Sequence, residues 1–278
     1  MYDTSARNTL IPPFLRIITL VECIVVGATA TVLFFFPAIG QAAWAWSAPP
    51  FNSRYVGAIY FAALLPLLVF GLSGRWSPGR VVLWMILAFT TSIGIAMFVH
   101  VIFVDPTQPF EWSRPSTYAF WFLYIFLPIN SIVFLYKLRK WEVADLEETS
   151  PGMRILLIAI IALSGLYGIG LLLAPETVTA FWPWKIDAFH GRIYAATFLT
   201  PTVGALVLLR GSSPSERLVL GLTLATLGVL SVVGTVLTSL GVPPERQVNY
   251  ANLGTWAFFG MNLLCAVVGS GLVLSSRK

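Results

Sequence analysis

Few side chains in this sequence are both reactive and set in apolar surroundings. Glu22 is the only carboxylate well inside a long apolar run. A charge in hydrocarbon is expensive, so such a residue is a functional candidate by default. Two roles fit it: a protonated acid hydrogen-bonded between helices, or a proton-binding group in a carrier. No second carboxylate, Lys or His falls at similar depth to make a relay. The two histidines, His100 and His190, are both expected near one end of the apolar runs. Such a residue ordinarily makes an interfacial hydrogen bond, whereas a pair can hold a haem or a chlorin between spans. Nothing here has the mid-membrane four-His pattern of that chemistry or the clustered His, Cys and carboxylate spacing of a zinc site. Cys23 and Cys265, each inside an apolar run, read as small buried hydrophobes.

A second group recurs. Pro37 to Asn52 carries Trp44 and Trp46, and Pro175 to His190 carries Trp182 and Trp184. Each segment opens with Pro, which suits the first turn of a helix. Each ends in Phe, with Arg54 or Arg192 three residues later. The ordinary reading is an interfacial helix with its indoles at headgroup level and the Arg snorkelling outward. The functional reading is a lid over an outward-facing pocket, with Arg54 and Arg192 offering planar cations to a lipid phosphate or another anion. Acceptors within the protein would be connection carbonyls, Asp187 or Glu176. Asn130 and Ser131, with Asn262, are polar positions that commonly bond across packed helices.

The elements that must position these residues follow from composition. Of the 278 residues, 57% are hydrophobic and only 10% charged, far below the roughly 25% of a soluble domain. That excludes a soluble enzyme, a disordered chain and a disulfide scaffold, and the net charge of +5 implies no nucleic acid because the basic residues sit at the ends of apolar runs. Eight runs are long enough to cross a bilayer: 14–36, 53–73, 80–104, 117–138, 153–174, 191–209, 217–240 and 252–275. Gly, Pro and Ser mark turns at Gly74 to Gly79, Asp105 to Ser116, Gly211 to Ser215 and Gly241 to Pro244. The fold class is therefore all-α integral membrane.

The halves match at a fixed offset: Pro37 with Pro175, Trp44 and Trp46 with Trp182 and Trp184, Phe51 with Phe189, Arg54 with Arg192, Thr117 with Thr255. This predicts two tandem four-helix repeats, 1–140 and 153–278, joined by an acidic cytoplasmic linker, 141–152. Four spans per repeat is even, so the repeats should share orientation and be related by a pseudo-two-fold axis along the membrane normal. The match is imperfect at the reactive residues: Glu22 aligns with Ile160, His100 with Thr238 and His190 with Asn52. Of 17 Lys and Arg, all but Arg54, Arg114, Lys185, Arg192 and Arg246 lie on the side of the termini, Arg7 and Lys278 included. Both termini are thus expected in the cytoplasm.

The run Pro175 to Trp184 with its Trp182-Pro183-Trp184 turn, followed by Arg192, resembles a family of uncharacterised bacterial multi-pass membrane proteins. The resemblance implies a four-helix unit in the plasma (inner) membrane. It carries no activity. No phosphate loop, dinucleotide fingerprint or His-Glu-x-x-His occurs. The function expected is a non-enzymatic integral membrane subunit or scaffold, packing against lipids or other membrane chains. The alternatives are a carrier or binding protein for a small or lipid-like ligand entered from the outer face, and a redox subunit holding haem or quinone through His100 or His190. A closed, polar cavity at mid-membrane depth on the pseudo-two-fold axis would favour the carrier.

Overall fold

Prolines set where most of the helices begin. The computed structural model describes residues 8–104 and 109–277. In it, α1 (Pro13–Phe35), α2 (Pro37–Ala43), α3 (Pro50–Ser73), α5 (Pro115–Lys137), α6 (Pro151–Leu173), α7 (Pro175–Val178) and α9 (Pro214–Gly241) all open on Pro. Its missing N–H is no loss there and its φ is already helical. The others are α4 (Trp76–Val99), α8 (Ala188–Leu208) and α10 (Leu253–Ser275). Eight of these helices are long and apolar enough to cross a membrane, and the chain is a multi-pass membrane protein. Several spans start a few residues earlier than the apolar runs do, because Pro50, Pro115 and Pro214 initiate helix before hydrophobicity rises. The last turn of α4 widens to π geometry over His100–Val104. Arg7, Lys278 and the Asp105 end of the expected 105–116 turn lie outside the described residues.

The spans form an inner and an outer set. In α3, α4, α8 and α9 half or more of the membrane window is buried, and in α1, α5, α6 and α10 a third or less. The inner helices pair across the halves, α3 with α9 and α4 with α8, while α1 lies on α3, α6 on α8, α5 on α4 and α10 on α9. The α9–α10 pair approaches backbone to backbone, since a Cβ at Gly228 would collide with the Asn262 carbonyl oxygen. Asn262 itself donates within its own helix, to the Phe258 carbonyl at 2.8 Å, and not across to a neighbour as expected.

The ends of the bundle differ. The face carrying the termini (the terminal face) is tied by polar contacts between the halves. Arg80 Nε and Nη2 donate to the two carboxylate oxygens of Glu216 at 2.7 and 3.0 Å, and Glu216 is fully buried. Ser77 and Ser213 hydroxyls meet at 2.6 Å. The 141–152 linker is strapped onto this face: Glu147 exchanges backbone bonds with Ser212 and pairs with Arg217 at 2.9 Å. The opposite, distal face is closed by the two Trp-bearing connections.

Candidate functional site

The distal connections turn their indoles inward. Each starts as a short helix, α2 or α7, and then runs back over the bundle. Trp46 and Trp182 are almost wholly buried and Trp44 and Trp184 pack beside them, so the indoles form core, not a headgroup belt. Within each connection the pair meets edge to face, at 5.1 Å for Trp44–Trp46 and 5.4 Å for Trp182–Trp184. Each second Trp reaches the other half. Trp184 stacks on Phe51 at 5.2 Å and donates its indole N–H to Asn52 Oδ1 at 2.8 Å. Trp46 meets Phe189 at 5.3 Å and the ring of His190 at 6.5 Å. What covers this core is held by residues that sequence reasoning left aside: Arg114 Nη1 donates to the Trp44 carbonyl at 2.7 Å and the Thr117 hydroxyl to Ala45 O at 3.2 Å.

The two arginines expected at the lid do not face a common pocket. Arg54 donates to the Thr238 hydroxyl on α9 at 2.9 Å, and Arg192 reaches Glu176 at 3.5 Å. Glu176 is one of the acceptors foreseen for it; Thr238 was not. On the distal surface a shallow polar cleft of about 400 Å³ runs between Glu176, Trp182, Trp184, Lys185 and the Asn249–Asn252 loop.

His100 and His190, unrelated by the sequence offset, both contact Phe189, at 5.0 and 5.6 Å between ring centres. Asp187 caps α8, accepting from the His190 backbone N–H at 2.8 Å, and the same oxygen meets His190 Nδ1 at 2.8 Å. Burial alone would raise the Asp187 pKa. The His190 ring bond, the His190 charge and backbone N–H, and the more distant His100 outweigh it and hold the carboxyl below its ordinary value. Asp187 is therefore ionised near neutrality, Nδ1 carries a proton, and in the neutral imidazole Nε2 is the acceptor. That Nε2 is buried and has no partner. Among the described residues no three His, Cys, Asp or Glu side chains gather as a metal would require.

Glu22 stands apart from all of these. It lies on α1, 7% exposed, and lines a cavity of about 260 Å³ bounded by α1, α3, α4, α5, α8 and α9. Its carboxyl has no hydrogen-bond or ion-pair partner among the described residues, so neither a helix-bridging bond nor a salt bridge accounts for it. The rest of the wall is Val, Leu, Ile, Met, Phe, Ala and Pro, broken by Thr90, Thr197, Thr200, Thr223 and a pair of tyrosines. The Tyr60 and Tyr124 hydroxyls meet at 2.9 Å. Three helices that border the cavity carry a Pro in their interior: Pro66 in α3, Pro128 in α5 and Pro201 in α8. A proline leaves the carbonyl four residues earlier without its helical N–H. Those residues are Ala62, Tyr124 and Thr197, and all three line the cavity.

The cavity opens sideways. Its lining includes Val21 and Val25 on α1 and Phe122 on α5, which are also exposed on the outside of the bundle. Below that gap α1 and α5 meet, with Phe14 on Phe134 at 6.3 Å. Depth could have gathered these residues from the sequence. At about 1.5 Å per residue, Tyr60, Tyr124 and Thr197 each lie about 15 Å from the distal ends of their spans, and Glu22 about 20 Å from its own. Depth says nothing of facing, however, and only the packing turns all four onto one hollow.

Compared with known protein families, characterised proteins and solved structures, the chain matches none, so the reading of the cavity rests on its own geometry.

Proposed function

We propose that this protein binds, and by extension carries, a small lipid-soluble molecule that enters its intramembrane cavity from the bilayer between α1 and α5. The observation that carries the reading is the unpartnered Glu22 carboxyl in an otherwise apolar hollow with a lateral mouth. A scaffold that only packs against other chains has no use for such a hollow, and a solitary buried carboxyl costs stability. Ligand sites have this composition: mostly apolar walls with a few placed polar groups that fix orientation. At about 260 Å³ the cavity is just under the roughly 300 Å³ at which drug-sized sites begin. It suits a small ring or one segment of a longer chain, with a single polar group meeting Glu22 and the Tyr60–Tyr124 pair. The entrance and the character of the cavity differ from those expected: the distal connections cover aromatic core, and the hollow is mostly apolar and open at its side, not closed and polar.

The test is the molecule itself. Protein extracted with its surrounding lipid should carry one apolar compound in stoichiometric amount by mass spectrometry, and Ala63→Phe, which fills the cavity wall, should lose it while remaining folded. A wild type that carries only bulk lipid, or an Ala63→Phe protein that carries as much as wild type, rejects the reading.

We further read the halves as tandem four-helix units related by an axis along the membrane normal. Three features support this: α1 on α3 repeats as α6 on α8, the inner helices cross reciprocally, and the indole pairs repeat their geometry. The excess of Lys and Arg on the terminal face supports placing that face in the cytoplasm. A cysteine placed between Leu146 and Ser150 should then resist an impermeant thiol reagent applied to intact cells; labelling from outside reverses the orientation.

A further inference from the structure

The unpartnered buried polar atoms of α8 fall in one line. His190 Nε2, the Tyr194 hydroxyl and the Thr197 hydroxyl are each buried and without a hydrogen-bond partner. Their residues are 6%, 0% and 3% exposed. Spacings of four and three put them on one face of the helix, a turn apart. The upper end of the line is held at the distal surface by Asp187, which fixes the His190 ring through Nδ1. The lower end opens on the cavity, because Thr197 is part of its wall, as is Pro201 one turn further on. Tyr55 packs along the line: its ring meets that of Tyr194 at 4.9 Å, and its hydroxyl lies beside that of Thr197.

A buried polar atom without a partner is costly, and three in succession on one stripe ask for a common explanation. From this geometry we infer that the stripe is a proton path joining the Asp187–His190 pair at the distal face to Glu22 in the cavity, through waters held between these side chains. Water can occupy such a site where polar partners are spaced to hold it. Glu22 is the group at the inner end with something to exchange. An ionised carboxylate there would stand alone in hydrocarbon, so what the cavity offers at rest is the acid, an O–H donor. When its proton leaves along the stripe, it arrives at His190 Nε2. That gives a carboxylate at Glu22 and an imidazolium at His190, whose new charge is balanced by the Asp187 carboxylate. The return step restores the acid and the neutral ring, so nothing is consumed. The charged and titratable groups at His190 are Asp187 and Tyr194, with His100 on the other contact of Phe189; those beside Glu22 or sharing its cavity are Cys23, Tyr60 and Tyr124. The inference goes beyond ligand binding: the cavity becomes a proton-accessible site whose hydrogen-bonding state can be reset from one side of the membrane.

Hydrogen–deuterium exchange of the Glu22 acid tests it, and requires no ligand. Infrared difference spectra of the protein in lipid, wild type minus Glu22→Gln, isolate the carbonyl stretch of that acid, which shifts when O–H becomes O–D. After transfer to heavy water the wild-type band should shift within minutes. Tyr194→Phe and Thr197→Val, which delete one hydroxyl each and keep the shape, should slow the shift by about tenfold or more. Thr235→Val, which removes a buried hydroxyl on α9 away from both cavity and stripe, should leave it unchanged. The path is overturned if the difference spectrum has no acid band, if the wild-type band does not exchange, or if both stripe variants exchange at the wild-type rate. None of these results bears on whether a ligand occupies the cavity, which the mass-spectrometric comparison decides separately.

Discussion

Asp187 does two jobs through one oxygen, and substitution can separate them. As N-cap of α8 it accepts the His190 backbone N–H; as partner of the imidazole it meets Nδ1. Asp187→Asn keeps an oxygen for the cap and gives up the charge, whereas Asp187→Ala gives up both. Loss of an N-cap costs about 1 kcal/mol, so at neutral pH the Ala variant should melt below the Asn variant. The charge contributes less, because the carboxylate is largely exposed and screened. Its sign follows from the depressed pKa: the contribution is whole above the ordinary carboxylate value of about 3.9 and is lost as pH falls through the lower folded value. The Tm gap between wild type and Asp187→Asn should therefore close below about pH 4, and a gap that widens there would mean the carboxyl is not held ionised by His190. Glu22 and the histidines could be recognised from the sequence because charged or titratable residues are scarce in these spans. Their partners could not. Tyr194 and Thr197 look like ordinary helix residues until burial leaves their hydroxyls alone, and Arg114 looks like a topology marker until it is seen holding the Trp44 carbonyl.

Among the elements, the spans were legible to within a few residues because two independent signals coincide: apolar runs of membrane length and a proline at the first turn. The short helices α2 and α7 were foreshadowed in the same way by Pro37 and Pro175. What periodicity could not show is which helices touch. The inner quartet draws α3 and α4 from one half and α8 and α9 from the other, an arrangement that no local pattern encodes. The cavity is a result of the same packing. On the α9–α10 side, glycines let the backbones close. Around the cavity, Pro66 and Pro128 interrupt two of the helices. Glu22 lines the cavity, whereas Ile160, which the sequence offset sets against it, is completely buried. The asymmetry of the site thus arises within elements whose lengths and order repeat closely. The indole pairs illustrate a different limit. Their recurrence was plain, but interfacial and core tryptophans have the same local sequence, and only the return of the connections over the bundle decides between them.

At the scale of the molecule, the two halves do not stand as independent units. Their sequence boundary near 141–152 suggests separable domains, yet the inner spans of each half pack on those of the other. The α3–α9 and α4–α8 pairs form the inner quartet. On the distal side Trp184 rests on Phe51 and Asn52, and Trp46 on Phe189. On the terminal side Arg80 neutralises a wholly buried Glu216, and removing one member of such a pair typically costs about 3–5 kcal/mol. A half alone would therefore leave apolar faces of two inner helices uncovered, and the second half would carry the Glu216 charge without its partner. The linker is tied to both halves, through Glu147 and Ser212 to the second and through the Trp76 indole N–H, which donates to the Trp141 carbonyl at 3.3 Å, to the first. It follows that fragments 1–140 and 141–278, produced together in one membrane, should associate and co-purify as a single complex. That complex should melt below the intact chain, because joining two fragments costs entropy that the linker removes, while each fragment produced alone should be degraded or aggregate. In the complex, Arg80→Leu on the first fragment should weaken co-purification with a wild-type second fragment. The added substitution Glu216→Leu on the second should restore part of it, since two apolar residues need no compensation. A first or second fragment that is monodisperse and cooperatively folded by itself would show that the quartet is an assembly of two finished domains, and the shared-core account would have to be given up.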